Sequence, residues 1–206
     1  MTSSDVLNNF ISQFDLYINW RIMIKRCEWA NQESMLEYHD KEWGLPIHDD
    51  RKLFEFIILE GAQAGLSWNT ILKRRKGYQK AFKDFNVLKV AAFDETDIES
   101  LMQNSDIIRN RLKINSAISG AKAFLEIQKK YGSFDKYIWS FVKGRPKVNK
   151  IKNLREIPVF TNEAKEMSNS LKKDGFNFVG PTICYAFMQA VGMVDDHLVE
   201  CICNKK

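Results

Sequence analysis

Two short pieces near opposite ends of the chain limit most what it can fold into. Cys27 is followed by His39 twelve residues on, and His197 by Cys201 four residues on. Two thiolates and two imidazoles are the usual ligand set of a closed tetrahedral zinc site. The halves lie more than a hundred residues apart, so no ordinary zinc finger fits. A metal held by all four would fasten the two ends of one domain together, and its closed shell would serve structure rather than chemistry. On a helix, His197 and Cys201 would share a face, one turn apart. Cys203, two residues beyond Cys201, can take its place as a ligand. Cys184 lies in the apolar run Ile183-Cys184-Tyr185-Ala186-Phe187-Met188 and reads as a core thiol. Spacing alone leaves the alternative that all of these are ordinary buried side chains.

At 206 residues the chain suits one domain, or one domain with a small second lobe, and reads as a monomer. No apolar run approaches the roughly 20 residues of a membrane span. No basic segment followed by an apolar stretch opens the chain, and free cysteines without such a signal point to the cytoplasm. The net charge of +5 suits a polyanion such as DNA without requiring one.

The pattern is almost wholly helical, without strong strand alternation. Asp49-Asp50 can cap a helix through Lys52–Glu60. Asp94 or Thr96 can start another through Ile98, Leu101 and Met102. Lys113 to Lys130 reads as a long amphipathic helix with Ile114, Ile118, Ala121, Phe124 and Leu125 on one face. Thr161 or Asn162 caps a segment ending at Gly175, and Pro181 opens a buried helix ending near Gly192. Residues 1–22 stand apart: either an extra amphipathic helix using Phe10, Phe14, Ile18 and Trp20, or a stretch not normally translated, with Met23 as the start.

Glu60 is the most suggestive side chain. Leu53, Phe56 and Ile57 precede it by seven, four and three residues, so it projects from the apolar face of its helix. A carboxylate there is costly unless paired. The segment Gly61-Ala62-Gln63-Ala64-Gly65-Leu66-Ser67-Trp68 follows, reading as a glycine-rich loop that ends in a large aromatic. The acid and Trp68 are either the wall of a polar, aromatic pocket or a satisfied core pair. In Tyr38-His39-Asp40-Lys41-Glu42-Trp43-Gly44, aromatics alternate with charges. They are either stacking platforms for nucleobases or core residues beside a solvated face. Asn104–Lys113 reads as a short helical hairpin whose backbone amides, with Arg109, Arg111 and Lys113, can bind phosphates, or else as a solvated turn.

Together these stretches resemble one family, the 3-methyladenine DNA glycosylase I (Tag) enzymes. The resemblance is carried by Arg26-Cys27-Glu28-Trp29, Tyr38–Gly44, Leu59–Trp68, Ile107-Ile108-Arg109, Trp139-Ser140-Phe141-Val142, Gly175–Thr182 and Met188-Gln189-Ala190, running on to Asp196-His197 and Cys201. It implies an all-α helix-hairpin-helix glycosylase fold over residues 23–206, with two lobes around a base pocket. It implies one structural zinc on Cys27, His39, His197 and Cys201. The implied activity is hydrolysis of the N-glycosidic bond of 3-methyladenine in alkylated double-stranded DNA. By motif position, Glu60 and Tyr38 would hydrogen-bond the base, with Glu60 as the catalytic candidate, and Trp68 and Trp43 would stack on it. Leu66 would be a wedge into the duplex, and the turn with Arg109, Arg111 and Lys113 would hold the backbone. Asp106 stands where the family has glycine, and an acid there can repel a phosphate. Asp135 is the nearest acid downstream of the hairpin, but the family works without one there, and no lysine stands out as a Schiff-base nucleophile. Two other classes compete. One is a binding module of the same fold without catalysis; the other is an unrelated zinc hydrolase, which would leave a coordination position open.

Overall fold

Most helix ends fall where side chains can cap them. The computed structural model describes residues 25–204, so the reading of residues 1–22 lies outside the described residues. Helix α1 (Glu33–Lys41) starts without a side-chain cap. Helix α2 (Asp50–Gln63) starts where Asp49 accepts from the Lys52 N–H at 2.9 Å. It runs past Glu60, so Gly61 is helical rather than the start of a loop. The turn comes instead at Gly65, with φ +78°. Ser67 caps helix α3 (Trp68–Ala81), and Asn86 caps the short helix α4 (Val87–Ala91). Asp94 and Asp97 close a reciprocal capping box, which starts helix α5 (Glu95–Gln103) at Asp94 rather than Thr96. Asn110 caps helix α6 (Arg111–Tyr131), two residues earlier than the periodicity alone predicts. It ends at Gly132, with φ +87°. Ser133 caps helix α7 (Phe134–Trp139), Thr161 caps helix α8 (Asn162–Lys173), and Pro181 opens helix α9 (Pro181–Ala190).

Helix α6 forms the centre. Ile114, Ile118, Ala121 and Phe124 are buried as predicted, while Leu125 is only half-buried. Phe124 stacks on Phe134 at 4.0 Å between centroids and meets the edge of Phe54 at 5.2 Å. Each such ring contributes about 1.5–3 kcal/mol on burial, and together they join α2, α6 and α7. A polar latch sits beside them. The Asp50 carboxylate accepts from the backbone N–H groups of Phe134 and Asp135 and from Gln128 Nε2, at 2.7–3.0 Å. It thus satisfies the first-turn amides of α7 and ties that helix to the start of α2.

Strand content among the described residues is two two-residue strands, β1 (Lys147–Val148) and β2 (Val194–Asp195), paired in parallel. A bridge between Ile151 and Leu198 extends the pairing. The Ile202 N–H donates to the Lys25 carbonyl at 2.9 Å, so the last described segment returns to the first.

Gly192 lets the end of α9 sit against another strand of backbone. Its φ is +69°, and a Cβ there would stand 2.2 Å from the Leu45 carbonyl carbon and 2.4 Å from the Pro46 nitrogen. Gly144 has the same φ of +69° but open space around it. Gly144→Ala should therefore cost only the left-handed backbone penalty of about 1–2 kcal/mol. Gly192→Ala should cost at least about 2 kcal/mol more, lowering Tm by a further ~4 °C or more. Equal melting temperatures for the two variants would refute the close approach.

Candidate active site

Residues just before and within α1, the end of α2, the start of α3 and α9 enclose a cavity of about 320 Å³. Tyr38, Trp43, Glu60 and Trp68, all picked out from sequence, line it. So do Trp29, Gln63 and Gln189, which residue patterns did not single out. Trp29 and Gln189 lay within the family motifs, so the motifs carried a signal that the local chemistry did not. The walls are aromatic: Tyr38 and Trp68 lie 5.4 Å apart between centroids, and Trp29 meets Trp43 edge-on at 4.9 Å. Arg75 holds α1 in place. It forks onto the Glu42 carboxylate at 2.7 and 2.8 Å, and its Nε donates to Glu55 at 2.7 Å.

Glu60 is 3% exposed, and its carboxyl makes no hydrogen bond or ion pair with any described residue. None of the described residues pairs with it as the partner of a satisfied core glutamate would. Burial pushes the Glu60 carboxyl up to about 8. Burial, then the neighbouring Glu60, raises the Tyr38 hydroxyl well above its usual range, so it keeps its proton. The buried Trp68 Nε1 lies within reach of the Tyr38 hydroxyl oxygen, to which it can donate. The cavity thus offers a carboxyl with no partner among the described residues, set between aromatic faces. Such an arrangement suits a flat polar ring. The Gln189 amide is oriented from behind: its Nε2 donates to Asp196 at 2.8 Å, and Asp196 also accepts from the Tyr185 hydroxyl at 2.6 Å.

A His/Cys cluster that can hold a metal ion backs onto this wall. Ligand atoms of His39, His197, Cys201 and Cys203 all lie within 4.8 Å of one another. His39 and His197 are 5.0 Å apart between ring centroids, and the Trp43 ring meets His197 at 4.6 Å. Both imidazoles are set from behind by carboxylates. His39 Nδ1 meets Asp40 at 2.7 Å, and His197 Nδ1 meets Asp195 at 2.6 Å. This leaves Nε2 of each ring for a ligand, a pattern typical of metal-bound histidine. His39 Nε2 stands 3.4 Å from Cys201 Sγ, and the buried His197 Nε2 has no hydrogen-bond partner among the described residues. The donor set and the orphaned nitrogen both fit a cation. Cys27 adjoins the group. The Leu198 N–H reaches its Sγ at 3.5 Å, and its thiol bonds to Cys201, which is held below the usual thiol range by that bond and by His39. Cys203 lies 3.8 Å from His39 Nδ1, the nitrogen already facing Asp40. Gly44, with φ +73°, admits His197, whose Cε1 would lie 2.9 Å from a Cβ there.

The residues read from sequence as DNA contacts are divided. Leu66 is 37% exposed at the tip of the α2–α3 turn, and Arg109 is exposed. Arg111 instead forks onto Glu95 and Glu99 of α5. Lys113 donates to the carbonyls of Ala62 and Ala64, both at 2.7 Å, and so caps the end of α2. Asp106 has no left-handed backbone, so the turn places no conformational demand for glycine there. Asp135 lies outside the cavity, 2.7 Å from His48 Nδ1.

Comparison with known proteins agrees with this geometry. Residues 29–204 match the family model described as Methyladenine glycosylase. The DNA-3-methyladenine glycosylase of Haemophilus influenzae is 50% identical over 183 residues, covering 88% of this chain and 99% of that protein. DNA-3-methyladenine glycosylase 1 of Escherichia coli is 49% identical, covering 87% of this chain and 97% of its own length. A crystal structure of 3-methyladenine DNA glycosylase I superposes with a TM-score of 0.86 at 47% identity, covering 88% of this chain and all of that one. A variant of such an enzyme, solved in complex with 3-methyladenine, gives 0.85 at 37% identity, covering 87% of this chain and 97% of that one. An aromatic cavity around a buried acid, a His/Cys cluster behind it and a family match over residues 29–204 converge: the chain belongs to the methyladenine glycosylase family.

Proposed function

We propose that this chain is a monofunctional DNA repair glycosylase that hydrolyses the N-glycosidic bond of 3-methyladenine in alkylated double-stranded DNA. The observation that carries this reading is the buried, unpartnered Glu60 carboxyl in an aromatic cavity. Release of free base from methylated DNA separates this reading from a binding module that would hold the base with the same carboxyl. Support also comes from relatives that are DNA-3-methyladenine glycosylases and from a structural neighbour solved in complex with 3-methyladenine. The connected pair α5 and α6, joined by residues 104–110, supports the helix-hairpin-helix architecture.

Adenine methylated at N3 is a cation while still attached to the sugar. Cleavage sends the electron pair of the C1′–N9 bond to the base, which leaves neutral, while water adds to C1′ and loses a proton to solvent. The leaving group is already good, so the protein chiefly extrudes and orients. Extrusion costs a few kcal/mol, less for a damaged base. Stacking on Trp68 and Trp43 returns about 1–3 kcal/mol. Glu60 favours the cationic base by charge and accepts its amino protons, and Tyr38 donates to it. Arriving positive charge would draw the Glu60 proton off, so the empty site is neutral and the filled one ion-paired. Leu66 enters the duplex from the α2–α3 turn. Arg109 and the backbone amides of the 104–110 turn hold phosphate, with Arg111 and Lys113 bracing that turn and the end of α2.

One structural zinc fits the cluster. His39, His197 and Cys201 would be three of its ligands; Cys27, hydrogen-bonded to Cys201, would be the fourth, with Cys203, whose thiol completes the group within 4.8 Å, as the competitor. Four ligands close the shell, which argues against a zinc hydrolase.

Glu60→Ala should abolish most release of 3-methyladenine from methylated DNA while leaving the circular dichroism spectrum intact; undiminished release would remove Glu60 from the mechanism. Glu60→Gln separates charge from shape. The unfolded carboxyl titrates near 4.3, the folded one at about 8. Between those values the folded chain alone holds the proton, so this group costs stability as pH rises through that window and no further above it. Glu60→Gln should therefore gain at least ~1 kcal/mol over wild type at pH 9 relative to pH 5.5 in urea unfolding. A pH-independent difference would show that Glu60 is ionised when buried.

Elemental analysis should find about one zinc per chain. It should persist in Cys203→Ser, fall in Cys27→Ser, and its removal by a chelator should lower Tm. The opposite ranking of the two variants would make Cys203 the fourth ligand.

A further inference from the structure

Helix α3 carries a run of cations, Lys73-Arg74-Arg75-Lys76, whose side chains part company. Arg75 turns inward to Glu42 and Glu55. Lys73, Arg74 and Lys76 line a separate open groove of about 550 Å³ whose far wall is Asp106. Arg74 is pinned there by donating to the Ser105 carbonyl at 2.5 Å. Lys73 and Lys76 are exposed, and neither makes a hydrogen bond or ion pair with a described residue. They are three residues apart on one helix face. Three cations face one carboxylate, leaving the groove with a net positive charge.

The groove has a built floor. A Cβ at Gly77 would stand 2.4 Å from the Asp106 carbonyl oxygen and 2.7 Å from the Asp106 Cβ. Glycine at 77 thus lets α3 lie directly on the 104–110 turn. At its other end α3 begins at Ser67, beside the exposed Leu66. Ten residues of helix from Ser67 to Gly77 span about 15 Å. Along duplex DNA that is roughly four to five phosphates of one strand, at about 3.4 Å of axis each. The groove therefore bridges the two elements that the proposed function sets against DNA. It also offers cations near a turn where Asp106 weakens the hold on phosphate.

We propose that this groove is a phosphate track for the backbone of duplex DNA, in which Lys73 and Lys76 each neutralise one phosphate while Arg74 fixes the floor. The inference rests on the DNA-glycosylase reading and adds a binding site to it. Because the contacts are to backbone, they serve damaged and undamaged duplex alike and carry no base preference.

The test is the salt dependence of binding to an undamaged duplex, followed by fluorescence anisotropy between 50 and 200 mM salt. Lys73→Ala/Lys76→Ala should reduce the slope of log affinity against log salt by about two. Its deficit relative to wild type should then be about tenfold larger at 50 mM than at 200 mM. Asp106→Asn should act in the opposite direction, tightening binding a few-fold at 50 mM. Lys129→Ala/Lys130→Ala, which removes equal charge from the far end of α6, should leave the slope unchanged. An unchanged slope in the groove variant, or an equal loss in the α6 variant, would overturn the proposal. Release of free 3-methyladenine by wild type is read separately. Its absence would sink the glycosylase reading, whereas the slope alone decides the groove.

Discussion

A carboxyl with no partner among the described residues, held on the apolar side of a helix, is the feature that the surrounding structure must sustain. Glu60 sits on α2, whose other inward positions Leu53, Phe56, Ile57 and Leu59 are buried. Burying an unpaired acid opposes folding, and a group this buried responds by holding its proton rather than by moving out. The helix stays put because it is fastened elsewhere. Asp50 latches its first turn to α7, Arg75 ties its middle to α1 and α3 through Glu55 and Glu42, and Lys113 caps its end. Three polar ties from three other segments hold the acid where hydrophobic burial alone would not fix its direction.

The aromatic wall depends on a second fastening, between the chain's early and late segments. Trp43 lines the cavity on one side and touches the His197 ring on the other. The same position is thus shared by the site that would read a base and the cluster that would hold a cation. His39 follows Tyr38 directly, so one turn of α1 turns a phenol toward the cavity and an imidazole toward the cluster. A cation held there would set the wall without touching what the cavity binds. Its influence on chemistry would run through the positions of the wall residues, Tyr38 and Trp43 and also Trp29, whose ring meets His39 edge-on at 5.2 Å.

The sequence was most legible where local rules and burial agree. The caps at Asp49, Asp94 and Thr161, the Pro181 start and the α6 face all follow from rules acting within a few residues. Helices α1 and α3 were not legible, because few of their apolar residues face the core. α3 buries only Ile71 and Tyr78 among fourteen residues, and its amphipathic stripe is drowned by cations. Gly61 misled for a related reason. Two nearby glycines read as a loop, but Gly61 is helical, with room for a Cβ at ordinary contact distance from Phe178, and only Gly65 answers to a turn. In the site, the aromatic and acidic side chains could be picked out because they are out of place on their elements. Trp29 and Gln189 could not, since a tryptophan near the start of a domain and a glutamine on a helix break no rule.

The outward-facing cations were the least legible of all, and the reason is general. An exposed lysine or arginine is chemically the same whether it is free or engaged, and its partner is chosen by tertiary contact rather than by its neighbours in sequence. Arg109 and Arg111 stand two residues apart, yet one is exposed and the other forks onto α5. Arg74 and Arg75 are adjacent, yet one faces a groove and the other braces the core. Lys113 looked like a phosphate ligand and is a helix cap. Reading charge along a sequence finds where cations are plentiful; only the ledger of their partners finds where positive charge is left for a polyanion. On α3 and the 104–110 turn that remainder lies at Lys73, Lys76, Lys80 and Arg109, of which Lys73 and Lys76 share a groove with Asp106 rather than replace it.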